Sequence, residues 1–135
     1  MQAAAHKDEL QVVVRARDLA SYVFAATAGS PKKFRSTFVY RLQNLSLDVV
    51  EHIWRANAIR VEGPDGVPSP DRLERRVGFQ REALVSLRLL CYLAQIAREQ
   101  GCLLMRQLKC ISEQADEVSR LLVSWSSSDR RRYGG

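Results

Sequence analysis

The stretch DRLERRVGFQREALVSLRLLCYLAQIAREQ, residues 71–100, decides the fold class. Only Gly78 interrupts a run of good helix formers, so the spacing predicts one long helix from Arg72 to Gln100 with Asp71 as its N-cap. Leu73, Val77, Leu84, Leu87, Cys91 and Ala94 recur at alternating steps of four and three, with Gln80 in the same row. That is the seam of a helix lying nearly parallel or antiparallel to its bundle neighbours. A second apolar row, Val85, Leu89, Leu93 and Ile96 with Tyr92 beside it, falls on the opposite side. A polar strip carrying Arg81, Arg88 and Gln95 runs between the two rows. A helix apolar on two faces needs two burials, one in its own bundle and one against another chain. Val85, Leu89, Tyr92, Leu93 and Ile96 are therefore expected to form an oligomer or partner interface.

Outward from this helix, three more are expected. The first runs from about Asp8 to Thr27 on a seam of Val12, Ala16, Leu19, Val23 and Ala26, and Gly29 and Pro31 stop it. The second runs from Lys33 or Phe34 to Ile59, with Phe38, Leu42, Leu45, Val49, His52, Ala56 and Ile59 inward. Val61 to Pro70, rich in glycine and proline, is expected to be a mobile loop. The fourth helix starts between Cys102 and Met105 and ends near Ser126, on Leu104, Leu108, Ile111, Ala115, Val118, Leu122 and Trp125. Short links join the first helix to the second and the third to the fourth, so the expectation is an all-α, antiparallel up-down-up-down four-helix bundle. Residues 1–126 form this domain, and residues 127–135, SSDRRRYGG, are expected to be a flexible basic tail.

The composition, 46% hydrophobic and 27% charged, is ordinary for a globular chain, and 135 residues suffice for one filled core. No apolar run approaches the roughly 20 residues that span a bilayer, and the start lacks a signal-peptide pattern, so a cytoplasmic location is expected, without membrane association. Cys91, Cys102 and Cys110 form no CxxC pair and read as small apolar residues. His52 reads as a satisfied core histidine, and His6 falls in a terminus expected to fray. Glu113, Asp116 and Glu117 lie outside the seam, and no Glu-x-x-His pair accompanies them. GxGxxG, GxxxxGK[ST], HExxH and GxSxG are all missing, so neither enzyme chemistry, nor a metal, nor a cofactor is expected.

The net charge of +6 is unevenly spread. Eight basic residues between Arg72 and Lys109 face Glu74, Glu82 and Glu99, and Arg130, Arg131 and Arg132 crowd the end. Such clustering is the footprint of a polyanion, RNA or DNA above all, set against the plainer alternative of a solvated face. Lys32, Lys33 and Arg35 open the second helix, and Arg72, Arg75 and Arg76 open the third, where the helix dipole disfavours cations. With Arg81 and Arg88, they make the expected nucleic-acid-binding set; pairing with Glu74, Glu82 or a neighbouring subunit is the competing expectation.

SPKKFRSTFVYRLQNLSLDVVE, from Ser30, resembles the second-helix signature of a family of small bacterial four-helix-bundle proteins, with spaced Arg41, Asn44, Asp48 and Glu51. RRVGFQREALVSLRLLCYLAQIA and the fourth helix, closing on Arg120, Leu121, Leu122 and Trp125, are similar to the same family. Its two branches are the accessory variability determinants of diversity-generating retroelements and the proteins encoded in intervening sequences of bacterial large-subunit ribosomal RNA. The resemblance covers about Leu19 to Trp125. It implies a pentameric, basic ring that binds a reverse transcriptase and template RNA and supports cDNA synthesis for mutagenic retrohoming. A protein–protein adaptor whose basic face meets an acidic partner is the other expectation.

Overall fold

The structure, a computed structural model, describes the backbone of residues 2–134 and the side chains of residues 9 and 11–134. Its four α-helices are α1 (Gln2–Thr27), α2 (Tyr40–Ala58), α3 (Pro70–Glu99) and α4 (Met105–Tyr133), with no strand among the described residues. A 3₁₀ turn, Lys32–Phe34, and a π-helical turn, Arg35–Val39, lead into α2. The main packing pairs are α2 with α3, α1 with α4, α3 with α4, and α1 with α2, which makes a helical bundle around one core. Among the described residues, no helix is long and apolar enough to cross a membrane. Helix α1 starts at Gln2 rather than near Asp8, so His6, expected in a frayed terminus, lies within the helix; its side chain is outside the described residues.

The α1 seam is as expected: Val12, Ala16, Leu19, Val23 and Ala26 are all buried. In α2 the buried row is Leu42, Ser46, Val49, Ile53 and Ala56. The expected members Phe38, Leu45, His52 and Ile59 are only half-buried. A polar residue at position 46 hid this row in the sequence, but the Ser46 hydroxyl donates to Gln43 O at 2.7 Å and so enters the core satisfied. His52 is consequently displaced to the flank, and its Nδ1 has no partner among the described residues.

Helix α3 starts a little earlier than expected. Ser69, not Asp71, is the N-cap, its Oγ accepting from Arg72 N at 3.4 Å, and Pro70 supplies the first helical residue. Its inward row is Arg76, Gln80, Ala83, Leu87, Leu90, Ala94 and Ala97, a strict four-three alternation. Val77 is also buried, whereas Leu73, Leu84 and Cys91 sit half-buried beside the seam. Gly101, at φ +89°, ends the helix, and Cys102 N donates back to Ala97 O at 2.8 Å.

The expectation for the C-terminal residues is overturned. Residues 127–133 are not an irregular tail: α4 continues to Tyr133. Its row Ile111, Ala115, Val118, Leu122, Trp125 continues in step to Asp129, which is buried despite its charge. Residues 61–69 are a loop, as expected, and the loop closes on itself as a short hairpin before Pro70 opens α3. Ser69 N donates to Val61 O at 2.9 Å, Gly63 N to Val67 O at 3.1 Å, and Gly66 N to Gly63 O at 2.9 Å. Gly66 takes φ +76° at the tip, and Val61 is buried.

Candidate nucleic-acid interface

Helix α2 releases the chain at Ile59, whose extended backbone (φ −87°, ψ 117°) starts the hairpin. The hairpin returns the chain at Ser69, so the first turns of α3 lie against the end of α2. Arg55, Ala58, Ile59 and Arg60 on one side and Arg72, Arg75 and Phe79 on the other line an open groove of about 410 Å³. Four of its lining residues are arginines and none is acidic. Arg55 bonds Glu51 at 3.3 Å one turn back on the exposed face of α2. Such an exposed pair contributes only a few tenths of a kcal/mol, roughly 0.3–0.5. Arg60, Arg72 and Arg75 have no ion pair among the described residues. Charges of one sign, gathered where a helix N-terminus adds its own positive end, favour an anion with several phosphates.

The expected basic set is not one surface. Arg72 and Arg75 stand in the groove. Lys32, Lys33 and Arg35 are exposed at the entry to α2, and the run from Arg35 to Arg55 puts them about 30 Å from the groove by helix rise. Lys33 Nζ sits 5.1 Å from the centre of the Phe34 ring. Arg88 lines a different depression with Tyr92, Gln95 and Asp116, and Arg81 is exposed outside both. Arg55 and Arg60 were missed. The relevant signal was present: both flank the last turn of α2, which a hairpin must fold back toward α3.

Arg76 leaves the candidate set, because it is only 7% exposed and its charge is already neutralised. Nε donates to Asp129 Oδ2 at 2.8 Å, Nη2 to Asp129 Oδ1 at 3.3 Å, and Nη1 to Ile59 O at 3.0 Å. Nη2 also pairs with Glu9 of α1. The partners anticipated for these arginines, Glu74 and Glu82, play no part here. Gln80 Nε2 donates to Asp129 Oδ2 at 2.7 Å, and Trp125 Nε1 to Glu9 Oε1 at 3.2 Å. The guanidinium lies 5.1 Å from the Trp125 ring centre. Burial alone draws the Arg76 pKa down, but Asp129 and Glu9 outweigh it and hold the value above the ordinary one. The hub thus joins α1, α3, α4 and the chain leaving α2, which is why α4 runs on past Ser126.

The second face of α3 is partly open. Val85, Leu89 and Tyr92 are 50%, 45% and 63% exposed, whereas Leu93 and Ile96 are half-buried, Leu93 against the core. Leu89 and Leu93 share a groove with Arg41, Asn44, Leu45 and Asp48 of α2. Tyr40, Leu47 and Trp54, seven residues apart on α2, form a second exposed apolar row that the sequence reading did not separate from the helix surface. Among the described residues, no three His, Cys, Asp or Glu side chains converge in a way that could hold a metal ion. No family model matches the chain, and no curated protein matches it.

Proposed function

We propose that this protein is a non-enzymatic nucleic-acid-binding bundle that holds a phosphate backbone in the Arg55–Arg60–Arg72–Arg75 groove. The observation that carries this reading is the groove itself, with four arginines and no acidic residue along its lining. Arginine forks bind phosphate oxygens in pairs, and such contacts fix a strand without reading its bases. The helices run up-down-up-down in this reading. The meeting of Glu9 early in α1, Arg76 early in α3 and Asp129 late in α4 supports that course.

The finer assignment, an accessory subunit that presents template RNA to a retroelement reverse transcriptase, rests on the resemblance of the second, third and fourth helices. Assembly into a ring, with five subunits favoured by the same resemblance, would cover Val85, Leu89 and Tyr92, which a monomer leaves in water. The adaptor alternative uses the same groove for an acidic protein. Titration of labelled single-stranded RNA and of an acidic polypeptide of matched charge separates the two. Preference for the RNA supports the nucleic-acid reading, and preference for the polypeptide selects the adaptor.

A further inference from the structure

We propose that Arg76 is a positioning residue for the groove, and that through Asp129 it couples the last turns of α4 to ligand binding there. This rests on the reading of the groove as a phosphate site. Arg76 touches no groove ligand itself. Its Nη1 holds the carbonyl of Ile59 at 3.0 Å, at the point where α2 ends, and Ile59 lies between two other lining residues, Ala58 and Arg60. Across the groove its chain neighbour Arg75 forms the opposite wall. One side chain therefore ties the two walls together.

Arg76 is in turn set by Asp129, whose two oxygens take Nε and Nη2 while Gln80 braces the same carboxylate. Glu9, the other anion, is more open to water, with its side chain 21% exposed. With the Asp129 charge removed, Arg76 has one anion left, and moving toward it and toward water draws Nη1 off Ile59. Asp129 is also the last buried residue of α4, and Arg130, Arg131 and Arg132 beyond it are exposed. Docking of residues 127–133 and alignment of the groove walls thus depend on one carboxylate. In the free protein, Arg60 on one wall and Arg72 and Arg75 on the other have no ion pair among the described residues, and their like charges resist closure of the groove. A bound polyphosphate removes that repulsion and tightens the Ile59–Arg76–Asp129 chain of contacts. Because coupling is reciprocal, ligand must protect the end of α4, and a loosened end of α4 must weaken the ligand.

The test is amide hydrogen exchange of the full chain, with and without a short fluorescent single-stranded RNA, beside the RNA affinity. Saturation should slow exchange at residues 127–133 about tenfold, within the usual range of site-to-site coupling. Asp129→Asn, which keeps all four groove arginines, should abolish that slowing and weaken RNA binding by a similar factor, and Arg76→Lys should do the same. Leu87→Ala, a core variant remote from the hub, should lower stability yet keep the ligand-induced slowing. Wild-type binding that leaves exchange at 127–133 unchanged overturns the coupling, as does wild-type affinity in Asp129→Asn. If the wild type does not bind RNA, the phosphate reading fails, and the positioning role is decided without ligand. Exchange at Gly63, Gly66 and Ser69, whose amides close the hairpin, must then quicken in Asp129→Asn; equal rates overturn it.

Discussion

Asp129→Ala should be among the most damaging single changes in the chain, although it falls in a stretch whose sequence reads as a polar tail. The carboxylate is 3% exposed and accepts from Arg76 Nε, Arg76 Nη2 and Gln80 Nε2. Its loss leaves Arg76 buried with only Glu9 as counter-charge. Gln80, whose Oε1 already lacks a partner among the described residues, loses the acceptor for the hydrogen bond its Nε2 donates. Removing one member of a buried ion pair costs about 3–5 kcal/mol. Glu9 retains part of the compensation, so the lower end applies, about 3 kcal/mol, or on the order of 10 °C in melting temperature. Urea and thermal unfolding followed by circular dichroism measure it. Truncation after Ser126 should cost at least as much, because it removes Asp129 together with two turns of helix. If both variants unfold within about 0.5 kcal/mol of the wild type, the buried hub contributes nothing and the account of α4 is wrong.

Leu87→Ala, at a site 1% exposed in the middle of the α3 seam, should cost about 2–5 kcal/mol by the same assay; a cost under 1 would place the site outside the packed core. Leu89→Glu with Tyr92→Glu should give smaller, still helical particles by light scattering, and a wild type already monomeric at micromolar concentration would remove the interface. Burial, and after it the Asp116 carboxylate, push the Cys91 thiol above its ordinary value. The unfolded thiol therefore ionises first. This group's contribution is complete below the unfolded thiol's pKa and is lost as pH rises toward the higher folded value. Cys91→Ala should accordingly lose less stability than the wild type across that alkaline window; parallel losses would contradict the burial of the thiol.

Helix periodicity made most of the bundle readable in advance, because α1 and the middle of α4 carry uninterrupted apolar rows. It failed where a polar residue occupies the seam. Ser46, satisfied within its own helix by Gln43 O, conceals the α2 row, and Asp129, satisfied by contacts distant in sequence, conceals the end of α4; a pattern of apolar residues registers neither. Arg76 was misread for the same reason. Its partners Glu9 and Asp129 lie 67 and 53 positions away, and nothing local distinguishes it from Arg72 and Arg75. The groove was half legible: the crowded first turn of α3 was visible, but Arg55 and Arg60 join it only through the hairpin. The second apolar row of α3 is exposed at Val85, Leu89 and Tyr92, whereas Leu93 packs against the core and Ile96 is half-buried.

The groove itself is tested most directly by the salt dependence of RNA affinity in the wild type and in a variant with Arg55, Arg60, Arg72 and Arg75 all changed to glutamine. If each guanidinium neutralises one phosphate, the four together contribute about 3 to the slope of log affinity against log salt. The variant should therefore bind more weakly, with its slope shallower by about that amount and its helix content and particle size unchanged. Equal affinity and equal slope in the two proteins would show that the phosphate backbone does not lie in this groove.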